Sequence, residues 1–474
     1  MSSSVQKVSL PVLLGMVVGG MVGAGIFSLP QRFGNVTGPI GAIIAWLIAG
    51  TGMYLLARVF QFLAERKPDL DAGVFAYAKA GFGDFPGFLS AWGYWIGSCI
   101  GNVFYWVMIK STLGQFFPVF GDGNTAVAIA VASVGIWLFH FLILRGTQQA
   151  AFINSVVTVA KVIPILAFIV ILIFAFKADL FSYNLYGGDL ESSVFDQVRA
   201  TMMVTVFVFL GIEGASVYSR YAKERSHIGS ATVMGFLIVT SMMVLVTLLP
   251  YAVMQRAEIA GLGRPSMPGV LEAVVGTWGA VFISVGVMVS VLGAYLTWTL
   301  ICAEVMSAAA RNQDMPKVFA TENANKVPAA ALWATSIVAQ FFVITTYWSN
   351  DAFNLMLDLT AAMALIPFLL VAGYALKLTR SGESYDQRPQ ERGRDLVVAA
   401  IATLYTAFLV WAGGFQLLVL SMILYAAGTV LYLWACSEQS KKPFARTLDW
   451  ALIGIILVGA VTGIYWLATG YYVI

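Results

Sequence analysis

What most constrains this chain is a succession of apolar runs, each about long enough to cross a bilayer. They fall at 10–33, 40–64, 85–116, 125–144, 150–176, 197–219, 228–254, 270–308, 328–348, 351–377, 395–413, 415–436 and 449–469. About 20 helical residues cross a hydrocarbon core of about 30 Å. With no water there, every backbone N–H and C=O must be paired inside its own segment, so runs of this length span as helices. Only 11% of the 474 residues are charged while 59% are hydrophobic, a balance no soluble domain tolerates. The expected class is an all-α polytopic membrane protein. Two runs, 85–116 and 270–308, exceed one bilayer thickness and are expected to tilt or continue as helix into water.

Two of the runs are interrupted. Gly19, Gly20, Gly23 and Gly25 crowd the middle of the first, which ends at Pro30. Each interior glycine costs a helix about 1 kcal/mol relative to alanine. Close helix packing is one use for the Gly19/Gly23 spacing. The other use is a break, tolerable in hydrocarbon only where the freed backbone faces protein, water or a ligand. Phe207-Val-Phe-Leu-Gly-Ile-Glu-Gly-Ala-Ser-Val217 repeats the pattern, with Glu213 between Gly211 and Gly214. Two such breaks, each in the first span of a five-span half, point to an inverted-repeat transporter with its site near mid-membrane. The expected layout is a five-plus-five inverted repeat with discontinuous first and sixth helices, plus two to three C-terminal helices. Its segments are a cytoplasmic N-terminus (1–9), a first repeat (10–176), an external loop (177–196), a second repeat (197–378), a cytoplasmic loop (379–394) and the C-terminal helices (395–474).

Loop charge sets orientation. With the N-terminus inside, nineteen Lys and Arg lie on the cytoplasmic side against six at the outer side: Arg32, Lys110, Lys177, Arg199, Arg256 and Arg264. The C-terminus is then outside if the last run spans. One lysine precedes the first run and no small-residue cleavage site follows a short apolar core, so no cleaved signal peptide is expected. The mildly acidic external loop 177–196 and the charged, flexible internal loop 381–395 are too short to house an enzyme domain. Cys99, Cys302 and Cys436 lie in apolar runs without paired spacing and read as small packing residues. No P-loop and no metal-ligand spacing is present, so no enzyme, metal, cofactor or nucleic-acid role is expected.

Charges at membrane depth are costly and are functional candidates by default. They are Arg58, His140, Lys161, Glu213, Glu304 and Asp358. Glu213 sits inside the second break, where it takes a proton, a cation or a lysine, or caps freed N–H groups. Lys161 lies in the middle of the fifth run. Asp358 is either an interfacial acid or a site residue, depending on depth. Arg58 and His140 lie near inner ends of spans and read as structural; Glu304 sits toward the inner half of its span. Phe207 and Phe209 flank the second break, and Tyr295 and Trp298 sit on the eighth run. Such aromatics more often serve packing or an interface belt, but a ring beside a break can stack on a cationic group, a contact worth about 0.5–2 kcal/mol.

Gly23-Ala-Gly-Ile-Phe, Phe209-Leu-Gly-Ile-Glu-Gly-Ala-Ser and Leu292-Gly-Ala-Tyr-Leu-Thr-Trp-Thr-Leu300 together resemble the amino acid–polyamine–organocation superfamily. Arg66–Gly83, Ser90-Ala-Trp-Gly-Tyr-Trp95, Phe141–Gly146 and Pro265–Val270 resemble its basic amino acid antiporters, notably the bacterial arginine:ornithine group. The resemblance implies that the substrate α-carboxylate and α-amino group lie against Met21, Gly23, Ala24 and Gly25, and against Phe207 and Leu210. It implies that Tyr94 closes the site, that Gly97, Ser98, Asn102 and Trp298 meet the distal cation, and that Glu213 is a relay acid. Lys161 would be a fixed cation beside the first break, on carbonyls freed at Gly23–Gly25, in place of a bound sodium ion.

The related arginine:agmatine antiporters carry tryptophan at Phe207, serine at Ala24 and cysteine at Ser98, and a serine near Asp358. A carboxylate at Asp358 facing the site would favour a dicationic substrate. The implied activity is exchange of arginine for ornithine by alternating access in the bacterial cytoplasmic (inner) membrane, without sodium. Arginine:agmatine exchange, lysine or histidine:amine exchange and proton-coupled symport are the alternatives. A nutrient sensor that binds without transport is disfavoured, because no signalling domain is attached. The partners expected are cationic amino acids and the lipid bilayer, with a homodimer left open.

Overall fold

The computed structural model describes residues 9–70, 74–146, 148–211, 225–349 and 351–471. Among these residues the regular structure is helical. The first apolar run is α1 (Leu10–Met21), a 3-10 turn (Ala24–Ser28) and α2 (Leu29–Val36). There follow α3 (Pro39–Arg66), the short α4 (Val74–Phe82), α5 (Asp84–Gly114), α6 (Ala126–Leu144), α7 (Gln148–Phe174), α8 (Ala178–Asn184) and α9 (Val194–Phe209). The second half holds α10 (Arg225–Leu248), α11 (Arg256–Ala260), α12 (Met267–Val275), α13 (Thr277–Arg311), α14 (Ala329–Thr345) and α15 (Ala352–Ser381). The chain closes with α16 (Arg392–Ala412), α17 (Phe415–Glu438) and α18 (Thr447–Ala468).

Eight helices among the described residues are long and apolar enough to cross a membrane. They are nine if Lys161–Phe174 and Ala178–Asn184, bent by 103°, count as one span. Each of the thirteen apolar runs carries helix, but one boundary moves. The run 270–308 is not continuous: Gly276, at φ +83, ends α12, and α13 starts afresh at Thr277. Hydropathy is blind to that turn, because a positive-φ glycine costs no polar residue. α13 nonetheless has 35 residues and α5 has 31, both longer than one bilayer crossing.

The helices pack in two compact units. One comprises residues up to Ala57, Tyr105–Ala128 and Gln149–Tyr295. In it α10 lies so close to α1 that a side chain at Gly235 would meet Val17 Cγ1 at 2.7 Å. Trp46 donates to Thr247 Oγ1 at 2.9 Å and stacks on Phe33, which fixes α3 against α10 and α2. In the 177–196 loop, Asp189 is held by Arg256 with paired 2.6 Å bonds, and Arg256 also donates to the Gly34 carbonyl near the end of α2. The Arg256 hydrogen bonds hold the Asp189 carboxyl below its usual range.

The other unit comprises Arg58–Phe104, Ile129–Gln148 and the residues from Leu296 onward. Here α15 packs along α16 and α4. Gly81 lies under the Tyr374 ring, and Lys377 donates to the Gly81 carbonyl at 2.8 Å. The 381–395 loop, expected to be cytoplasmic and flexible, is pinned instead. Arg66 bonds Asp395 at 3.0 Å and Glu391 at 2.8 Å, and its guanidinium sits 3.8 Å from the Tyr385 ring centroid. The Tyr385 hydroxyl donates to the same Asp395 carboxylate. A charge-rich stretch reads as loose only until its partners are known.

Candidate functional site

In the first unit the site is made of backbone. α1 stops at Met21, so the carbonyls of its last turn lose their helical donors. Val22 and Gly23 N–H groups serve Val18 and Met21. The Gly19 carbonyl accepts from the Lys161 ammonium, and the Gly20 carbonyl faces Gly211. A fully buried cation thus sits at the negative end of a half-helix. The carbonyl it uses is that of Gly19 and not one from Gly23–Gly25 as expected. The reason is that the 3-10 turn re-pairs the chain from Ala24 onward, so the acceptors left over lie on the α1 side of the break.

The opposite end of the break presents donors. Ala24 and Gly25 open the 3-10 turn, and their N–H groups have no partner within it. Such a helix start attracts a carboxylate. Gly25 is required to be glycine here: a Cβ would come within 2.7 Å of the Phe207 ring. Gly23 is less tightly placed: a Cβ there would meet the Tyr105 hydroxyl at 3.4 Å, an ordinary contact. Met21, Ala24 and Phe207 are buried, and Leu210 is partly exposed.

The second break begins as expected from its glycines. α9 ends at Phe209, Leu210 turns to ψ 135° and Gly211 adopts φ +103°. The Gly211 Cα approaches α1 so closely that a Cβ would lie 2.8 Å from the Gly20 carbonyl oxygen. Glu213 lies outside the described residues. Lys161, Gly25 and Phe207 are therefore gathered around one pair of helix ends, although they are far apart in sequence.

In the second unit the site is made of side chains on unbroken helices. Tyr94, Gly97, Ser98 and Asn102 lie on α5, with Ser98 donating to the Tyr94 carbonyl at 2.7 Å. Asn102 is buried and donates to Thr299 Oγ1 at 3.3 Å and toward Cys302 Sγ at 3.7 Å, both on α13 beside Trp298. Its side-chain oxygen is buried without a protein donor, which leaves it able to accept from a cationic group. Gly97 and Gly101 let α15 approach: side chains there would meet Met363 Cβ at 2.8 Å and Thr360 Cγ2 at 3.3 Å. Thr360, not singled out from sequence, therefore faces α5. Asp358 is half-buried on the same helix, but two residues away, about 200° around the axis.

The remaining intramembrane candidates are peripheral. Glu304 is half-exposed and lies 3.7 Å from Arg311. Arg58 donates to Gln61 at 2.7 Å, and the buried His140 pairs with Ser336 at 2.9 Å. Thr299 and Thr360 carry no signal in sequence, because the residues they touch, Asn102 and Gly101, lie on another helix, and Tyr105 stands out only as one of several aromatics in its run. No cluster of three or more potential metal ligands occurs among the described residues.

Residues 8–416 match the profile of the amino acid permease family. The chain is 49% identical to an arginine/ornithine antiporter of Pseudomonas aeruginosa over 99% of this chain and 98% of that protein. It is 39% identical to an L-lysine transport protein of Corynebacterium glutamicum, covering 98% and 96%. It is 36% identical to an arginine/agmatine antiporter of Chlamydia abortus, covering 99% and 98%. With the matching profile and the multi-pass helical architecture in agreement, the chain belongs to the amino acid permease family, within the amino acid–polyamine–organocation superfamily.

Proposed function

We propose that this chain exchanges arginine for ornithine across the bacterial cytoplasmic membrane by alternating access. The observation that carries the mechanism is the pair of helix ends at the first break, with the Lys161 ammonium on the Gly19 carbonyl and the Ala24 and Gly25 N–H groups unpaired within their own turn. The N–H end takes the substrate carboxylate. Within the second unit, Asn102, Trp298 and Thr360, with Gly97, Ser98 and Tyr94, are the group whose chemistry suits the distal cation; within the first, Phe207 lies against Gly25. Met21 and Leu210 pack on the substrate's α-carbon end. The relative of 49% identity supports arginine and ornithine as the pair.

In this reading the Lys161 ammonium, held on the Gly19 carbonyl, takes the place of a sodium ion. An empty carrier leaves the Ala24 and Gly25 N–H groups and the Asn102 oxygen unmatched, which makes its reorientation slow and enforces exchange. Agmatine lacks a carboxylate and leaves the N–H end unmatched, which favours two amino acids over an amino acid and its amine. In this reading 10–176 and 197–378 are the two inverted repeats, the N-terminus is cytoplasmic, and Glu213 acts in the conformational step. The chain carries cargo and catalyses no bond change.

Purified protein in liposomes loaded with ornithine should take up arginine, with little uptake into empty liposomes and no response to sodium. Equal uptake into empty liposomes under an imposed pH gradient would instead establish proton-coupled symport. Glu213→Gln should bind arginine with modest loss and exchange it slowly; wild-type rates from acidic to mildly alkaline pH would remove Glu213 from the cycle.

A further inference from the structure

The chain has three cysteines, all buried and all free thiols. Two of them are brought together by the register of α5 against α13. Trp106 and Tyr295 meet edge to face, with ring centroids 5.3 Å apart. One turn back along α5 and one turn on along α13, Asn102 bonds Thr299 and reaches Cys302. The two helices therefore run antiparallel, each step along one matched by an equal step back along the other. Three residues further in the same sense, this register sets Cys99 directly opposite Cys302. Cys302 and the Thr335 hydroxyl are the polar neighbours of the Cys99 thiol. Thr335 also accepts from the Trp95 indole at 3.2 Å, which holds α14 against this point. The third cysteine, Cys436, lies elsewhere, on α17.

We propose that Cys99 and Cys302 form a redox-sensitive lock, closed by a disulfide between α5 and α13. The oxidant is a small neutral peroxide. One thiol, as thiolate, attacks a peroxide oxygen to give a sulfenic acid and water. The second thiol sulfur then attacks that sulfur and expels a second water. The balance is two thiols and one hydrogen peroxide giving one disulfide and two waters. A dithiol reductant reverses it by exchange. The bond forms one helical turn from Asn102 and beside the turn that bears Trp298, and it ties the separation of the two helices to disulfide geometry. The binding region for the distal cation loses its freedom to adjust, and exchange stops. Buried thiols are ordinarily inert. Access here comes from local opening of the α5–α13 contact, which a small neutral peroxide can follow whether or not the protein transports.

The effect on exchange rests on the transport reading above; the cross-link does not. Full-length protein in liposomes is treated with hydrogen peroxide, assayed for arginine/ornithine exchange, and digested without reduction for peptide mass spectrometry. The expected result is a peptide pair joined through Cys99 and Cys302, at least a tenfold loss of exchange, and recovery with dithiothreitol. Cys99→Ser and Cys302→Ser should resist peroxide, while Cys436→Ser stays as sensitive as wild type. If either serine variant fails to insert, alanine replaces serine, and the joined peptide in wild type is scored on its own. The absence of that peptide, or equal inhibition of the Cys99→Ser/Cys302→Ser double variant, overturns the lock. Absent exchange in untreated wild type counts against the transport reading, and the joined peptide then decides the lock alone.

Discussion

The first-break region and the α5–α13–α15 region solve the problem of a polar site in hydrocarbon in opposite ways. The first uses backbone. Helix ends supply donors and acceptors, glycines let chains approach, and Lys161 neutralises the carbonyl end. The second uses side chains on continuous helices, with Gly97 and Gly101 bringing Thr360 close and Asn102 tied to Thr299. Backbone groups at helix ends cannot be altered by substitution, so they suit what all amino acids share: a carboxylate and an amino group. Side chains are replaceable, so they suit what differs between substrates. Changes at the first region should therefore act on turnover and changes at the second on substrate preference.

The largest expected effect is that of Lys161→Ala. Removing the ammonium leaves the Gly19 carbonyl without its partner and loosens the break, and exchange should fall at least about a hundredfold, since an unpaired buried polar group costs roughly 1–3 kcal/mol beyond the lost contact. Insertion, checked by surface labelling, should persist. Full exchange in this variant, or sodium dependence of the wild type, would break the backbone half of the comparison.

Trp298→Ala comes next. Loss of ring stacking and packing worth roughly 1.5–3 kcal/mol should raise the arginine KM by about one to two decades with a smaller change in kcat. An unchanged KM would mean that the indole is only core.

Gly211→Ala should slow exchange roughly tenfold while sparing preference, because φ +103° costs an L-residue about 1–2 kcal/mol and its Cβ meets the Gly20 carbonyl. A changed arginine/ornithine ratio in Gly211→Ala would blur the division of labour.

The smallest effects sharpen the side-chain half. Thr360→Val, which keeps shape and loses the hydroxyl, should shift the arginine/ornithine KM ratio by about two- to fivefold, the worth of one neutral hydrogen bond. Asp358→Asn should shift it less if Asp358 points away from α5. The reverse order would place the carboxylate in the site.

Much of this was legible in the sequence because the bilayer enforces it. Apolar runs must be helices, and glycine-rich breaks such as 19–25 and 210–211 show as interruptions in them. The turn at Gly276 was not legible, because it interrupts an apolar run without changing its hydropathy. Nor was the pinning of loop 381–395, because Arg66 and its partners Glu391 and Asp395 are more than 300 residues apart.

By itself the sequence determined the helical class, the positions of the two breaks, and the presence of Lys161 at membrane depth. These follow from local rules of hydropathy and glycine that no distant contact can reverse in a solvent without water. Only the tertiary structure decided which carbonyl Lys161 meets, that Thr360 rather than Asp358 faces Gly101, and that Cys99 stands opposite Cys302. Those outcomes depend on the rotation and register of one helix against another. They are set by the packing of whole faces, which a linear string records only after its partner is known.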